Sequence, residues 1–265
     1  KKAALMNGID KGELISPVLT FETINRFAKT MKSNVKRIPM DNKIGIDLDR
    51  TAENTGSRTK LIYLCNPNNP TGSIMATDQL ESFCKTMSKK TIVFVDEAYH
   101  EYVTHPDYRS MIDLVKKGHN VMVSRTASKV HGLAGLRVGF AITTPEIAKR
   151  LESYLTDSLN IIGLRAAIAS YQDERFQAHS VEQNNRAKKI VTSHLDNKGI
   201  EYLNSQTNFI FIKTGMDITD FQPAMEKNGV IVGRPFPPYN KWCRLSMAKP
   251  EEMENFNTGM DRVLG

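Results

Sequence analysis

Three short motifs bring together residue types that can hold an aldehyde, a ring cation and a phosphate. Lys129 lies in S-R-T-A-S-K-V-H-G-L-A-G-L-R-V-G-F (Ser124–Phe140), downstream of N-P-N-N-P-T-G (Asn66–Gly72) and V-D-E-A-Y (Val95–Tyr99). A lysine amine forms a Schiff base with an aldehyde. A carboxylate keeps a ring nitrogen protonated, and arginine with hydroxyl groups binds phosphate. In this order, the motifs predict a pocket for a pyridine aldehyde that carries a phosphate.

Lys129 is the predicted amine. A single lysine is more often a surface residue, but small residues precede this one and a Gly-rich turn follows it, as a ligand that lies against the backbone requires. Arg137, eight residues on, is the predicted phosphate partner, because a guanidinium matches phosphate with two parallel hydrogen bonds. Thr126 and Ser128 offer hydroxyls to the same group. For Arg137 considered alone, a surface ion pair is an equal alternative.

Asp96 is the predicted anion at the ring nitrogen. It follows the apolar run Thr91–Val95, which is typical of a buried parallel strand. Open α/β sheets bind ligands at the carboxyl ends of their strands, and a buried carboxylate there needs a cation. Tyr99, three residues later, can hydrogen-bond the phenolic oxygen of the ring. The alternatives are a helix N-cap for Asp96 and core packing for Tyr99.

Asn69 is the predicted amide ligand of the same phenolic oxygen. It lies in the turn after the apolar strand Leu61–Cys65, between Pro67 and Pro70. The two prolines fix φ and stiffen the turn, and a rigid turn can hold an amide on its target. The alternative is an ordinary Asn/Pro/Gly loop.

These motifs resemble the class I/II aminotransferases of pyridoxal-phosphate fold type I, and most of all the histidinol-phosphate aminotransferase-like branch. The likeness runs over nearly the whole chain. It includes T-F-E (Thr20–Glu22), S-Q-T-N-F (Ser205–Phe209), G-R-P-F-P-P-Y (Gly233–Tyr239) and W-C-R-L-S-M-A-K-P-E-E-M (Trp242–Met253). The lysine and Asn-Pro motifs are specific as a set, whereas T-F-E alone is a weak match.

The resemblance implies a ping-pong transfer of an amino group between an L-amino acid, or histidinol phosphate, and a 2-oxo acid. It implies pyridoxal 5'-phosphate as the cofactor and a homodimer. The implied roles are Schiff base (Lys129), ring nitrogen (Asp96), phenolic oxygen (Asn69 and Tyr99), phosphate (Thr126, Ser128 and Arg137), ring stacking (Phe21), substrate carboxylate (Arg244) and substrate side (Asn69, Asn208 and Arg234). Of these residues, Lys129, Asp96 and Tyr99 are implied to be catalytic.

Other functions remain open for the same fold and cofactor. They are decarboxylation, C–S lysis, and a sensor role in an aminotransferase-like domain of a transcription regulator.

The chain departs from the family pattern at Leu19, where proline is usual, at Ala248, where glycine is usual, and at Thr126, where glycine or serine is usual. Family members also carry a considerable stretch before the point where this chain begins. We therefore expect the N-terminal part of the large domain to be missing.

The composition is that of an ordinary globular protein. The chain has 265 residues, 40% hydrophobic and 25% charged, with a formal net charge of +7. The basic residues are spread along the chain, so we expect no nucleic-acid partner, and no apolar run has membrane-spanning length. Histidines without ligand spacing predict no metal. Three cysteines without a C-x-x-C pattern predict free thiols in a reducing compartment, so we expect a cytoplasmic protein, with an export signal left open.

Alternating strands and helices predict a three-layer, doubly wound α/β domain with a mostly parallel sheet over residues 1–150. Residues 151–265 predict an interdomain helix and a smaller α+β domain. Within this outline, we expect a polar loop at Thr51–Thr59, a bridging amphipathic helix at Glu182–Leu195 and a strand at Val230–Gly233.

Overall fold

The computed structural model describes residues 12–154 and 159–265. A six-stranded sheet in the order β2-β1-β3-β4-β5-β6 forms the centre of the first part of the chain. All neighbouring strands are parallel except β5 and β6, which are antiparallel. The strands are β1 (Glu13–Pro17), β2 (Asn34–Ile38), β3 (Thr59–Cys65), β4 (Ile92–Asp96), β5 (Val121–Thr126) and β6 (Gly139–Ile142).

Alternate residues of these strands face opposite layers. Ile62 and Leu64 of β3 pack in one cluster with Leu80, whereas Leu61 and Tyr63 pack with Ile24 on the other side. The predicted α/β class with a mostly parallel sheet is therefore confirmed. The helices of this part are α1 (Thr23–Thr30), α2 (Leu48–Glu53), α3 (Thr77–Met87), α4 (Ile112–Lys116) and α5 (Pro145–Glu152), with short 3₁₀ turns at His100–Tyr102 and Ala134–Leu136.

A second, antiparallel sheet lies in the C-terminal part and has its own core. Its strands, in the order β7-β8-β9, are β7 (Tyr202–Leu203), β8 (Phe209–Lys213) and β9 (Trp242–Ser246). Their inner side chains pack against helices in one cluster. The helices after residue 159 are α6 (Ile161–Gln172), α7 (Glu174–Lys198), α8 (Ile218–Lys227) and α9 (Pro250–Leu264). The boundary at residue 150 stays a prediction.

Helix α7 touches both cores. Val191 and Leu195 pack in the C-terminal cluster. Val181, nearer the start of the helix, packs against the cluster that contains Tyr102 of the first part. The predicted bridging segment lies within this helix. Helix α7 has 25 residues and ends at Lys198, and Gly199 caps it in the left-handed conformation that favours glycine (φ 66°).

Two local predictions are wrong. The expected loop at Thr51–Thr59 contains the end of α2, because Asp47 caps that helix by accepting a hydrogen bond from the backbone N of Arg50 (2.8 Å). The expected strand at Val230–Gly233 does not form. The backbone N of Val230 instead donates to the carbonyl of Met225 (3.0 Å) and closes α8.

The three cysteines, Cys65, Cys84 and Cys243, are buried free thiols, as predicted. None of the described helices combines the length and apolar character needed to cross a membrane. In the same described ranges, no group of three or more His, Cys, Asp or Glu side chains is placed to hold a metal ion.

Candidate active site

A cavity of about 750 Å³ opens where β4 and β5 end. This is the edge at which parallel sheets place ligands. Two further predicted ligands lie next to the cavity, since Asn69 bonds its lining residue Tyr99 and Arg244 bonds Asn69. Seven of the predicted residues line it, namely Phe21, Asp96, Tyr99, Thr126, Ser128, Lys129 and Arg137.

Asp96 ends β4 and presents a carboxylate to this cavity. Its Oδ1 accepts a hydrogen bond from Ser124 Oγ (2.8 Å), and its Oδ2 accepts one from Tyr63 Oη (2.8 Å). Burial raises the pKa of Asp96, and the two hydroxyl donors offset this effect in part. A fixed, desolvated carboxylate in this position binds a cation strongly.

Lys129 lies at the start of a tight turn, in which the backbone N of Gly132 donates to the Lys129 carbonyl (2.9 Å). Its Nζ lies 5.0 Å from the centroid of the Tyr99 ring. Burial lowers the pKa of Lys129, and the positive charge of Arg244 lowers it further, against a smaller raising effect of Asp96. A larger share of the amine is therefore neutral, which is the nucleophilic form.

Asn69, Tyr99 and Arg244 form one hydrogen-bonded chain across the two parts of the molecule. Asn69 Nδ2 donates to Tyr99 Oη (3.2 Å), and Arg244 Nη1 donates to Asn69 Oδ1 (2.8 Å). The Tyr99 ring packs edge-on against Phe209 at 5.1 Å between centroids. Burial raises the pKa of Tyr99, so its hydroxyl keeps its proton and can act as a donor.

The turn that carries Asn69 is held by the C-terminal part. Gly72 has φ 73° and its carbonyl accepts a hydrogen bond from the backbone N of Gln206 (2.8 Å). A Cβ atom on Gly72 would lie 2.3 Å from Ser205 Oγ. Only glycine allows both this φ and this close approach. The glycine of the N-P-N-N-P-T-G motif therefore lets the two parts meet beside Asn69.

The predicted phosphate ligands all line the cavity. Thr126 Oγ1 lies 2.9 Å from Ser128 Oγ and accepts a hydrogen bond from the backbone N of Ser128 (3.1 Å). Arg137 follows a 3₁₀ turn, has φ 58°, and donates through Nη1 to the carbonyl of Ala134 (2.7 Å). Its guanidinium is exposed and keeps other donors available to an anion.

Asn208 and Arg234 lie outside the residues that line the cavity. Asn208 precedes β8, and its carbonyl accepts a hydrogen bond from the backbone N of Met247 (2.9 Å). The Arg234 guanidinium lies 4.1 Å above the ring of Phe236, and the Arg244 guanidinium lies 5.5 Å from the same ring. Arg234 is thus on the Arg244 side of the site.

Sequence reasoning missed the two hydroxyl donors of Asp96. Tyr63 lies within an apolar run, and its hydroxyl reaches the neighbouring strand. Ser124 ends the apolar part of β5 and pairs in register with Asp96. Both contacts could have been predicted by placing β3 and β5 on either side of β4, which is their order in the sheet.

The chain belongs to the aminotransferase class I and II family, which matches residues 3–258. It is similar to histidinol-phosphate aminotransferase 2 of Hydrogenovibrio crunogenus, with 35% identity over 224 residues, 83% of this chain and 60% of that protein. The chain thus spans about three fifths of this relative.

Solved structures show the same fold. A protein from Erwinia carotovora atroseptica, described as a candidate histidinol-phosphate aminotransferase, superposes with a TM-score of 0.94 at 32% identity over 98% of this chain and 76% of its own. Histidinol-phosphate aminotransferase from Sinorhizobium meliloti, solved with pyridoxal-5'-phosphate, gives a TM-score of 0.88 at 24% identity, over 99% of this chain and 74% of its own.

Pyridoxal 5'-phosphate is the cofactor of this family. The described residues fit it. Asp96 is a buried carboxylate whose raised pKa indicates the need for a cation, and Lys129 is a desolvated amine on the same cavity. Thr126 and Ser128 supply hydroxyls to the cavity, and Arg137, which also lines it, supplies an exposed guanidinium. A protonated pyridine, an aldehyde and a phosphate match these three groups.

Proposed function

We propose that this chain belongs to an aminotransferase that moves an amino group between an L-amino acid, or histidinol phosphate, and a 2-oxo acid. One observation carries the proposal: the Lys129 amine and the Asp96 carboxylate face one cavity, with Arg244 bonded to its wall through Asn69. An amine for the aldehyde, an anion for the ring and a cation for the substrate are the minimum set for this reaction.

When bound, the cofactor supplies a carbonyl that condenses with amines and a protonated ring that accepts the electron pair left by the departing α-proton. Lys129 Nζ would take the α-proton of the amino acid and deliver it to the former aldehyde carbon of the cofactor, since its lowered pKa makes it an efficient base. Asp96 holds the proton on the ring nitrogen. Asn69 and Tyr99 would orient the phenolic oxygen, Thr126, Ser128 and Arg137 would bind the phosphate, and Phe21 would pack against the ring.

Arg244 is the proposed ligand of the substrate carboxylate. Its Nη1 is bonded to Asn69, and its Nε is buried with no hydrogen-bond partner among the described residues. No carboxylate of residues 12–154 and 159–265 forms a salt bridge with it. A half-buried guanidinium without an anion is unfavourable, and a carboxylate that accepts two parallel hydrogen bonds would satisfy it.

Replacing Arg244 by alanine should raise KM for the amino acid by about 10- to 100-fold, since a hydrogen bond to a charged group contributes about 1.5–3 kcal/mol. Cofactor binding should persist, because Asp96, Lys129 and Arg137 remain. Steady-state kinetics with an absorbance titration of the cofactor would measure both. Arg244→Lys is the control, because it keeps the charge but loses the planar fork. Unchanged KM in Arg244→Ala would remove this residue from the substrate site.

The Arg234 side of the site is positively charged. Burial lowers the pKa of Arg234, and the charges of Arg26 and Arg244 lower it further. Glu22, the nearby carboxylate, is engaged by Arg37 at 2.6 Å. Three arginines with little compensating charge favour a substrate with an anionic group beyond its reacting carbon. A phosphate ester, as in the substrate for which the relatives are named, fits this field.

A panel of amino donors tested with 2-oxoglutarate should therefore release glutamate fastest with histidinol phosphate. Arg234→Ala should lower kcat/KM for this donor by about 10-fold or more and change the values for donors without a distal anion much less. Coupled detection of glutamate measures both. Arg186→Ala, on an exposed face of α7, is the matched control for loss of one positive charge.

Each rival function has its own outcome in this panel. Carbon dioxide release without glutamate would indicate a decarboxylase, and release of a thiol and pyruvate from a thioether amino acid would indicate a C–S lyase. Cofactor binding without turnover of any donor would favour the sensor role. Any of these results would overturn the aminotransferase proposal.

Assembly and location follow the family. We propose a homodimer, as aminotransferases of this family generally form, small-molecule amino and oxo acids as the binding partners, and a cytoplasmic location. The free thiols of Cys65, Cys84 and Cys243 support a reducing compartment. The division into a large domain at residues 1–150 and a smaller domain at 151–265 is proposed on the two separate sheets.

A further inference from the structure

A buried cluster of charged side chains lies beside the active-site turn and has no part in the mechanism above. Glu97, Glu101, Arg125 and His131 have side chains that are 1%, 11%, 10% and 0% exposed. Arg125 Nη2 lies 2.7 Å from Glu97 Oε2, and its Nη1 lies 3.7 Å from Glu101 Oε1. His131 Nε2 lies 4.0 Å from the same Glu101 oxygen. The four groups form one chain of charges.

The cluster lacks one positive charge. Glu97 is fully engaged, since it accepts hydrogen bonds from Arg125, from Ser110 Oγ and from the backbone N of Met111. Glu101 contacts the same arginine, which is already bonded to Glu97, at the longer distance of 3.7 Å. Two buried carboxylates facing one guanidinium are costly unless a proton compensates. That proton belongs to Glu101 or to His131, because Glu101 Oε2 and His131 Nε2 are both buried without a hydrogen-bond partner among the described residues.

Other titratable groups around Glu101 do not supply the missing charge. Burial, then Arg125, lowers the pKa of His100 to about 4, so this imidazole is neutral at pH 7. Burial raises the pKa of Tyr108, and raises that of Tyr171 to about 12, so both hydroxyls keep their protons. The groove next to Glu101 also carries groups of both signs on α7 and on the loop after Tyr102, namely His105, Glu182, Arg186 and Lys189.

His131 connects this cluster to the active site. It is the third residue of the turn that starts at Lys129 and is closed by the Gly132–Lys129 hydrogen bond (2.9 Å). His131 Nδ1 lies 2.9 Å from Ser170 Oγ of α6, and its ring packs on Tyr171 at 3.9 Å between centroids. One imidazole therefore fastens the Lys129 turn to α6 on one side and faces Glu101 on the other.

We propose that His131 is a positioning residue for Lys129, and that one proton shared between His131 and Glu101 holds it in place. The effect of His131 on catalysis rests on the proposed role of Lys129. The shared proton is independent of that role. Burial raises the pKa of Glu101 and lowers that of His131, and both effects favour the proton on Glu101 over His131. The stability that this proton contributes is present at low pH and is lost as the pH rises through the raised pKa of Glu101.

The first experiment is the thermal midpoint as a function of pH for the wild type and for Glu101→Gln, whose amide mimics the protonated acid. Between pH 4 and pH 9, the thermal midpoint of the variant minus that of the wild type should increase by about 2–4 °C, since the variant cannot lose the proton. Comparing the two proteins cancels the titration of Asp96 and Glu97. A difference that stays constant with pH would show that Glu101 holds no shared proton and would overturn the proposal.

The second experiment measures how fast Lys129 forms a borohydride-trappable bond with pyridoxal phosphate. His131→Leu should slow this reaction about tenfold, whereas His131→Gln, which can donate and accept as the imidazole does, should stay within about twofold of the wild type. Circular dichroism checks that each variant is folded, and His131→Gln keeps the test open if His131→Leu is not. A wild-type rate in His131→Leu would overturn the positioning role. A wild type that never reacts at Lys129 would instead refute the proposed function, and the pH comparison would still decide the shared proton.

Discussion

Replacing Lys129 by alanine should abolish covalent attachment of pyridoxal phosphate and lower turnover by about 10⁴-fold. The amine has two tasks, since it binds the cofactor aldehyde and later moves the α-proton. No other amine lines the cavity among the described residues. Borohydride reduction followed by peptide mapping measures the attachment, and glutamate release measures turnover. The visible absorbance of the bound cofactor should shift in the variant, because the aldehyde stays free.

Lys188 provides a matched control. Burial lowers its pKa to about 8, and its Nζ donates to the carbonyl of Ser205 (3.0 Å), away from the cavity. It is therefore a second desolvated, nucleophilic lysine of the same protein. Lys188→Ala should leave the trapped adduct and turnover close to the wild type. An adduct that persists in Lys129→Ala, or that maps to Lys188, would contradict the assignment and show that a lowered pKa alone selects the reactive amine.

Local sequence patterns were sufficient for most of the fold. Apolar runs predicted β3, β4 and β5, because a parallel strand is buried on both faces and leaves no polar alternation. They were insufficient where a single side chain or turn decided the structure. Asp47 caps a short helix in a segment expected to be a loop, and Val230 closes α8 in a segment expected to be a strand.

The site shows the same division between local and distant information. Asp96, Asn69 and Lys129 each follow a recognisable strand, so their place at one edge of the sheet could be predicted from the topology. The bond between Arg244 and Asn69 joins residues 175 positions apart. No period or spacing encodes such a contact, which depends on how the two sheets are placed. The Glu101–His131 pair was missed for a similar reason, since the two residues lie in separate segments, one after β4 and the other after β5.

Replacing Asp96 by asparagine should slow removal of the substrate α-proton by about 10³-fold. A carboxylate next to a cation raises the pKa of that cation by up to about three units. Such a shift corresponds to about 4 kcal/mol. It changes the rate by about three orders of magnitude if the transition state needs the protonated ring. Asparagine keeps the shape and can still bond Tyr63 or Ser124. Pre-steady-state loss of the α-proton, followed with a deuterated amino acid, measures this step.

Tyr63→Phe tests whether the charge of Asp96, rather than its size, is responsible. The Tyr63 hydroxyl lowers the pKa of Asp96, so its removal should move the acid limb of the pH–rate profile to higher pH. Activity lost in this variant near neutral pH should then return as the pH rises, because Asp96 ionises again. In Asp96→Asn, no pH should restore the rate. Near-normal turnover in Asp96→Asn, or a Tyr63→Phe profile parallel to the wild type, would show that another group protonates the ring.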